Sequence, residues 1–150
     1  MVRAGAMNRV GAKWAALLGV AWLSPFSAQA EDWWALSFGA NREAVTALYV
    51  ERSSIVDSVL GKTAWIVETF DPQRTDVAVK KEHVDIDCKR PRYRGLEWFW
   101  TDHAGEVTTS REEDARWNTV LLDSPMQAVR DFICAGPGAG AQQVTGVPGG

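Results

Sequence analysis

Between Trp33 and Arg111 the apolar residues recur mostly at every second position, which is the spacing of half-buried strands. Trp33 to Phe38 reads as a short strand with Trp34, Leu36 and Phe38 on one face, bounded by Gly39-Ala40-Asn41. Ala44 to Glu51 is rich in β-branched and aromatic residues and predicts a second strand. Arg52 to Leu60 is polar and apolar by turns and ends at Gly61. Lys62 to Phe70 predicts a third strand, closed at Asp71-Pro72, where proline fixes its own φ and holds the preceding residue extended. Thr75 to Cys88 predicts a longer one, with a bend at Lys80-Lys81-Glu82. In its second half Val84, Ile86 and Cys88 face one way, and His83, Asp85 and Asp87 the other. After the break at Arg90-Pro91, Tyr93 to Thr101 alternates again, with Leu96, Trp98 and Trp100 opposite Glu97 and Phe99. Asp102 to Gly105 predicts a hairpin loop, glycine taking the left-handed position, before Glu106 to Arg111 returns as a strand. From Glu112 to Asp123 the charges at the start suggest a loop, while Trp117 and Val120 to Leu122 suggest a segment packed back on the core.

At Ser124 the period lengthens. Ser124 is a good helix N-cap, Pro125 suits the first helical position, and Gln127 completes a capping-box spacing. Met126, Val129 and Ile133 then share one helical face. The expectation is an α+β fold: a single antiparallel sheet of about five or six strands with a C-terminal helix across one face. Residues 135–150 are rich in glycine and proline and have little to bury, so they are expected to be a disordered tail.

The first thirty residues carry no acidic side chain. Arg3, Arg9 and Lys13 precede the apolar run Trp14 to Leu23, and Ala28-Gln29-Ala30 is a small-residue cleavage site. That order predicts a secretory signal peptide over residues 1–30, with an uncleaved N-terminal anchor as the alternative. The apolar run is too short to span a bilayer as a helix. No cysteine lies beside the cleavage site, so no lipid anchor of the lipoprotein kind is expected there. Removing the leader leaves 19 acidic against 13 basic side chains, a net charge of about −6, which argues against nucleic acid as a general partner.

Cys88 and Cys134 are the two cysteines, so one intramolecular pairing is possible, and an oxidising compartment would preserve it. Free thiols or an intermolecular bridge are the alternatives. A bond between them would pin the helix across the sheet's apolar face.

No catalytic signature stands out. His83 and His103 lack partners at metal-ligand or nucleophile spacing, and no G-x-S-x-G or glycine-rich phosphate loop is present. No enzyme activity, metal or cofactor is therefore expected. Asp85, Asp87, Glu112, Glu113 and Asp114 read as a solvated acidic face. The candidate binding residues are Lys89, Arg90, Arg92 and Arg94, a concentrated positive patch whose guanidinium groups suit carboxylate or sulfate, with edge protection as the alternative reading. Lys80 and Lys81 extend the patch or serve as edge charges. Trp98 and Trp100 are expected in the core beneath the helix. Phe99 points away, where with Trp33 or Trp65 it could make an apolar patch for a partner.

The ordered pieces "EDWWAL", "LYVERSSI", "TAWIVETF", "DIDCKRPRYR", "WFWTDHAGEV", "RWNTVLLDSP" and a final "FIC" resemble the surface-adhesin protein E family over Trp33 to Cys134. The resemblance implies an antiparallel sheet tied to a C-terminal helix by a disulfide, within a domain of residues 31–134. It further implies a bacterial cell-envelope location and attachment to a protein partner, such as a host matrix or envelope protein, with a homodimer as one option. The function expected is an exported, non-enzymatic, adhesin-like module, periplasmic or secreted, with the outer surface as a further possibility. The alternative is a periplasmic small-ligand carrier or envelope stress factor with a pocket between sheet and helix, lined by tryptophans 33, 34, 65, 98, 100 and 117.

Overall fold

The computed structural model describes residues 31–39, 44–112 and 115–147. The expected signal peptide lies outside these residues, as do Glu113 and Asp114. Nine strands and one α-helix form among them: β1 (Trp33–Leu36), β2 (Val45–Glu51), β3 (Val56–Asp57), β4 (Gly61–Phe70), β5 (Val77–Asp87), β6 (Arg92–Asp102), β7 (Val107–Arg111), β8 (Asn118–Thr119), α1 (Pro125–Ala135) and β9 (Ala141–Val144). The strands make a single antiparallel sheet in the order β7-β6-β5-β4-β2-β1-β9, with β3 paired to β4 and β8 to β6.

The expected α+β architecture is the one observed, with more strands than the pattern suggested. Two of the additions, β3 and β8, have two residues each, too few to show alternation. The third addition corrects an expectation. Residues 141–144 fall within the expected disordered tail, yet they form β9 on the edge of β1. Backbone hydrogen bonds need no apolar side chains, so composition alone underestimates a segment that returns to an open strand edge. The Ser37 N–H to Gly140 C=O bond of 2.8 Å begins that return.

α1 covers one face of the sheet, packing on β2 and β4. Beneath it lie Leu48, Val50, Ala64, Ile66, Val84 and Ile86, met from the helix by Met126, Val129, Phe132 and Ile133. The expected capping holds: the Ser124 hydroxyl accepts the Gln127 N–H at 3.2 Å. The Gln127 side chain reaches back to the Asp123 N–H, at 2.7 Å, one residue before the capping-box position. At the far end of α1, Cys134 is bonded to Cys88 at the end of β5. Arg130 supports the same junction by donating to the carbonyls of Asp87 and Cys88, at 3.4 and 3.0 Å. The helix is therefore held to the sheet by apolar packing along its length and by a covalent and polar clasp at one end.

β6 departs from strict alternation. His83 pairs with Glu97, but Val84 pairs with Gly95, so Leu96 is an extra residue on β6, a β-bulge. The bulge changes which side chains share a face. Before it Arg92 and Arg94, and after it Glu97 and Phe99, all lie on the face away from α1. A Cβ at Gly95 would overlap the Glu82 carboxylate, so glycine is needed where the strand bends. In the β6–β7 loop Gly105 has a φ of 87°, the left-handed position expected of it.

Candidate protein-binding surface

The face of the sheet away from α1 carries the candidate residues. β5 presents Lys81, His83, Asp85 and Asp87 there, β4 presents Trp65 and Val67, and β6 presents Arg92, Arg94, Glu97 and Phe99. Trp65 stacks on His83 with ring centroids 4.9 Å apart and lies 6.0 Å from Phe99. Phe99 is 36% exposed and Trp65 is half-buried. The Lys81 ammonium sits 5.7 Å from the Trp65 ring and 5.6 Å from that of Trp33, a cation–π arrangement on both. Trp33 itself is only 2% exposed, so the accessible aromatic surface is that of Trp65 and Phe99. Burial holds the His83 imidazole below its usual pKa, against the pull of Glu97 and Asp85. A neutral ring stacks on indole without giving up the hydration of an ion.

The basic cluster divides into two pairs. Arg92 donates to Asp87 at 2.8 Å, and Arg94 donates to Asp85 through two nitrogens, at 3.0 and 2.8 Å. Both guanidinium groups also lie over the Trp117 ring, at 4.6 and 4.7 Å. These two arginines are thus compensated and stacked. Lys89 and Arg90 stand in the β5–β6 turn, exposed and without a side-chain partner among the described residues. Their backbone N–H groups bond to Asp87, at 2.9 and 3.1 Å.

Asp85 and Asp87 correct the expectation of a solvated acidic face, since both are buried. A buried carboxylate needs a counter-charge and donors. For Asp87, burial alone would push the carboxyl up. Hydrogen bonds from Arg92 and from the Lys89 and Arg90 backbones, with the Arg92 charge, outweigh this and hold it below the usual range. Ser58 donates to Asp85 at 2.7 Å. That bond brings the β3–β4 hairpin tip, with exposed Val59 and Leu60, to the end of the sheet that carries Lys89 and Arg90.

Lys80 and Lys81 point to opposite faces, as neighbours along a strand do, so Lys80 does not extend the basic patch. Lys81 lies between tryptophans, whereas Lys80 points to the α1 side and pairs with Glu82 at 2.7 Å and with Glu68 at 4.0 Å. Burial alone would lower the Lys80 ammonium pKa, but Glu82 and Glu68 outweigh it and raise it. Trp98 and Trp100 share the α1 side as expected, but they are not part of the core under the helix. They sit on β6, beyond the strands that α1 covers, and stack on each other with centroids 6.2 Å apart. Sequence reasoning missed the roles of Trp117, Asp85 and Asp87. The signal was the alternation of acids on β5 with arginines on β6, which antiparallel pairing sets opposite each other.

A groove of about 340 Å³ runs beside α1, between the helix and the end of β1, and includes Phe38, Phe132 and Asp131. None of the tryptophans expected to line such a pocket does so. Among the described residues, no helix is long and apolar enough to cross a membrane.

The family model described as surface-adhesin protein E matches residues 34–135. No curated protein and no solved structure gives a significant match.

Proposed function

The chain belongs to the surface-adhesin protein E family, and from that premise we propose that it is an exported, non-enzymatic protein-binding module of the bacterial envelope. The proposed contact surface is the sheet face away from α1, centred on Trp65 and Phe99, with Lys89 and Arg90 at its end. The observation that carries this reading is the Trp65–Phe99 pair, 6.0 Å apart on a face that no helix among the described residues covers. Aromatic side chains of this kind supply most of the affinity at protein interfaces, and peripheral charges mainly set association rate and salt dependence. The protein's net negative charge makes the free Lys89–Arg90 pair the local feature that favours an acidic edge on the partner.

Biolayer measurements against immobilised matrix and envelope proteins test the assignment. Trp65→Ala with Phe99→Ala should weaken binding about tenfold or more. Lys89→Ala with Arg90→Ala should slow association and reduce its salt dependence. Binding that ignores both pairs of changes would reject this face.

The second reading, a small-ligand carrier, has the 340 Å³ groove beside α1 in its favour. Native mass spectrometry that shows a copurifying small molecule, lost in Phe132→Ala, would support it over the first.

A further inference from the structure

On the α1 side of the sheet, past the edge of the helix, a cleft of about 300 Å³ is lined by Trp98 and Trp100, by Lys80 and Glu82 of β5, and by Glu112 and Arg116. Its two indoles are nearly parallel and stack on each other, with 14° between ring planes and centroids 6.2 Å apart. They line the cleft as a stacked aromatic pair outside the main core. The charges around it cancel, since Lys80 and Arg116 face Glu82 and Glu112. Trp98 also carries the one buried side-chain polar atom without a hydrogen-bond partner among the described residues, its indole Nε1. An unpaired buried donor costs on the order of a hydrogen bond and marks where an acceptor is missing.

We propose that this cleft binds one neutral sugar ring of a glycan. An indole face is negative, and the C–H bonds on one side of a pyranose present the positive edge that it attracts. Hydroxyl groups both donate and accept, so they match a rim that holds ammonium, guanidinium and carboxylate groups together. A ligand of either net charge would meet repulsion from one half of that rim as well as attraction from the other. The cavity is at the small end of ligand sites, with room for one ring and no large cofactor. The bulge at Leu96 sets the cleft's shape, because Gly95 leaves Glu82 the space to stand at its floor. The cleft lies on the opposite side of the sheet from the Trp65–Phe99 surface, so either assignment can fail without the other.

Two neutral probes separate the sources of such a ring. N-acetyllactosamine represents animal glycoproteins, and chitobiose represents the N-acetylglucosamine units of a bacterial envelope. Each is titrated into the purified full chain while the indole N–H resonances are followed by NMR. The expected result is a shift of the Trp98 resonance with one probe, and that probe identifies the source. Trp100→Ala should weaken this binding about tenfold, and Trp100→Phe, which keeps a ring and protects the fold, should weaken it less. The proposal is overturned if neither probe moves the Trp98 resonance. It is equally overturned if shifts appear only at Trp65, or if Trp100→Phe and Trp100→Ala both bind as the parent does.

Discussion

Replacing Cys88 and Cys134 together by serine opens the clasp between β5 and α1. The bond closes a segment of 46 residues. Loop-closure entropy for that length corresponds to about 4 kcal/mol at room temperature, and native disulfides of this kind contribute about 2–4 kcal/mol. The lower half of that range is reached if the remaining contacts hold the chain together in the unfolded state. In the folded state, few other contacts join the two elements at the clasp itself. Arg130 still reaches the Asp87 and Cys88 carbonyls, and Phe132 and Ile133 still pack on the sheet. With an unfolding entropy of about 2.1 cal/mol/K per residue, a loss of about 2–4 kcal/mol lowers the melting temperature by about 8–16 °C. Scanning calorimetry of the double variant, beside the parent with and without reductant, measures this directly. The reduced parent and the double variant should melt together, well below the oxidised parent. A melting point within about 2 °C of the oxidised parent would refute the reasoning, because the closed loop would then remove no appreciable entropy from the unfolded chain.

Four further outcomes follow from the same geometry. Arg94→Ala leaves buried Asp85 with Ser58 as its remaining side-chain donor and should cost about 1–3 kcal/mol in denaturant unfolding, whereas Lys89→Ala or Arg90→Ala should stay within about 0.5 kcal/mol. His83 binds its proton less readily folded than unfolded, so its contribution to stability rises as pH increases from its lowered folded pKa through 6.5, and His83→Gln should flatten that part of a pH–stability profile. Asp87 has the same sense in a more acidic window: its stabilisation is present above the ordinary carboxylate range and is lost as pH falls through the lowered folded value, so Asp87→Asn should weaken the acid dependence seen by circular dichroism. Ser124→Ala removes the hydroxyl that accepts the Gln127 N–H and should destabilise the protein by about 1 kcal/mol in urea unfolding.

The strands were legible where alternation ran for five or more residues. β4 and β5 fall within a residue or two of their expected limits, and the helix does so as well, because Ser124-Pro125 marks its start chemically. The two-residue strands β3 and β8 and the edge strand β9 were not legible. They exist because a neighbouring strand supplies hydrogen bonds, and nothing in their own side chains announces it. The candidate surface was legible in part. Parity alone set Phe99 opposite Trp98 and offered Trp33 or Trp65 as its neighbour, and the pairing of β4, β5 and β6 put Trp65 beside it. The arginines could not be placed by parity, because strict alternation sets Arg92 and Arg94 on the Trp98 side, and the bulge at Leu96 reverses this.

By itself, the sequence determined the architecture: the period of two along the strands, the change of period at Ser124, and two cysteines placed so that a single bond could join helix to sheet. These are local or one-to-one relations, and a linear string contains them. Only the tertiary structure decided which charges are free. Asp85 and Asp87 read as surface acids and are buried, and Arg92 and Arg94 read as a binding patch and are their counter-ions. The free charges are Lys89 and Arg90, at the turn where the pairing of β5 with β6 ends. Such pairing depends on register, and here one extra residue on β6 shifts the register and with it the face of every side chain that precedes it.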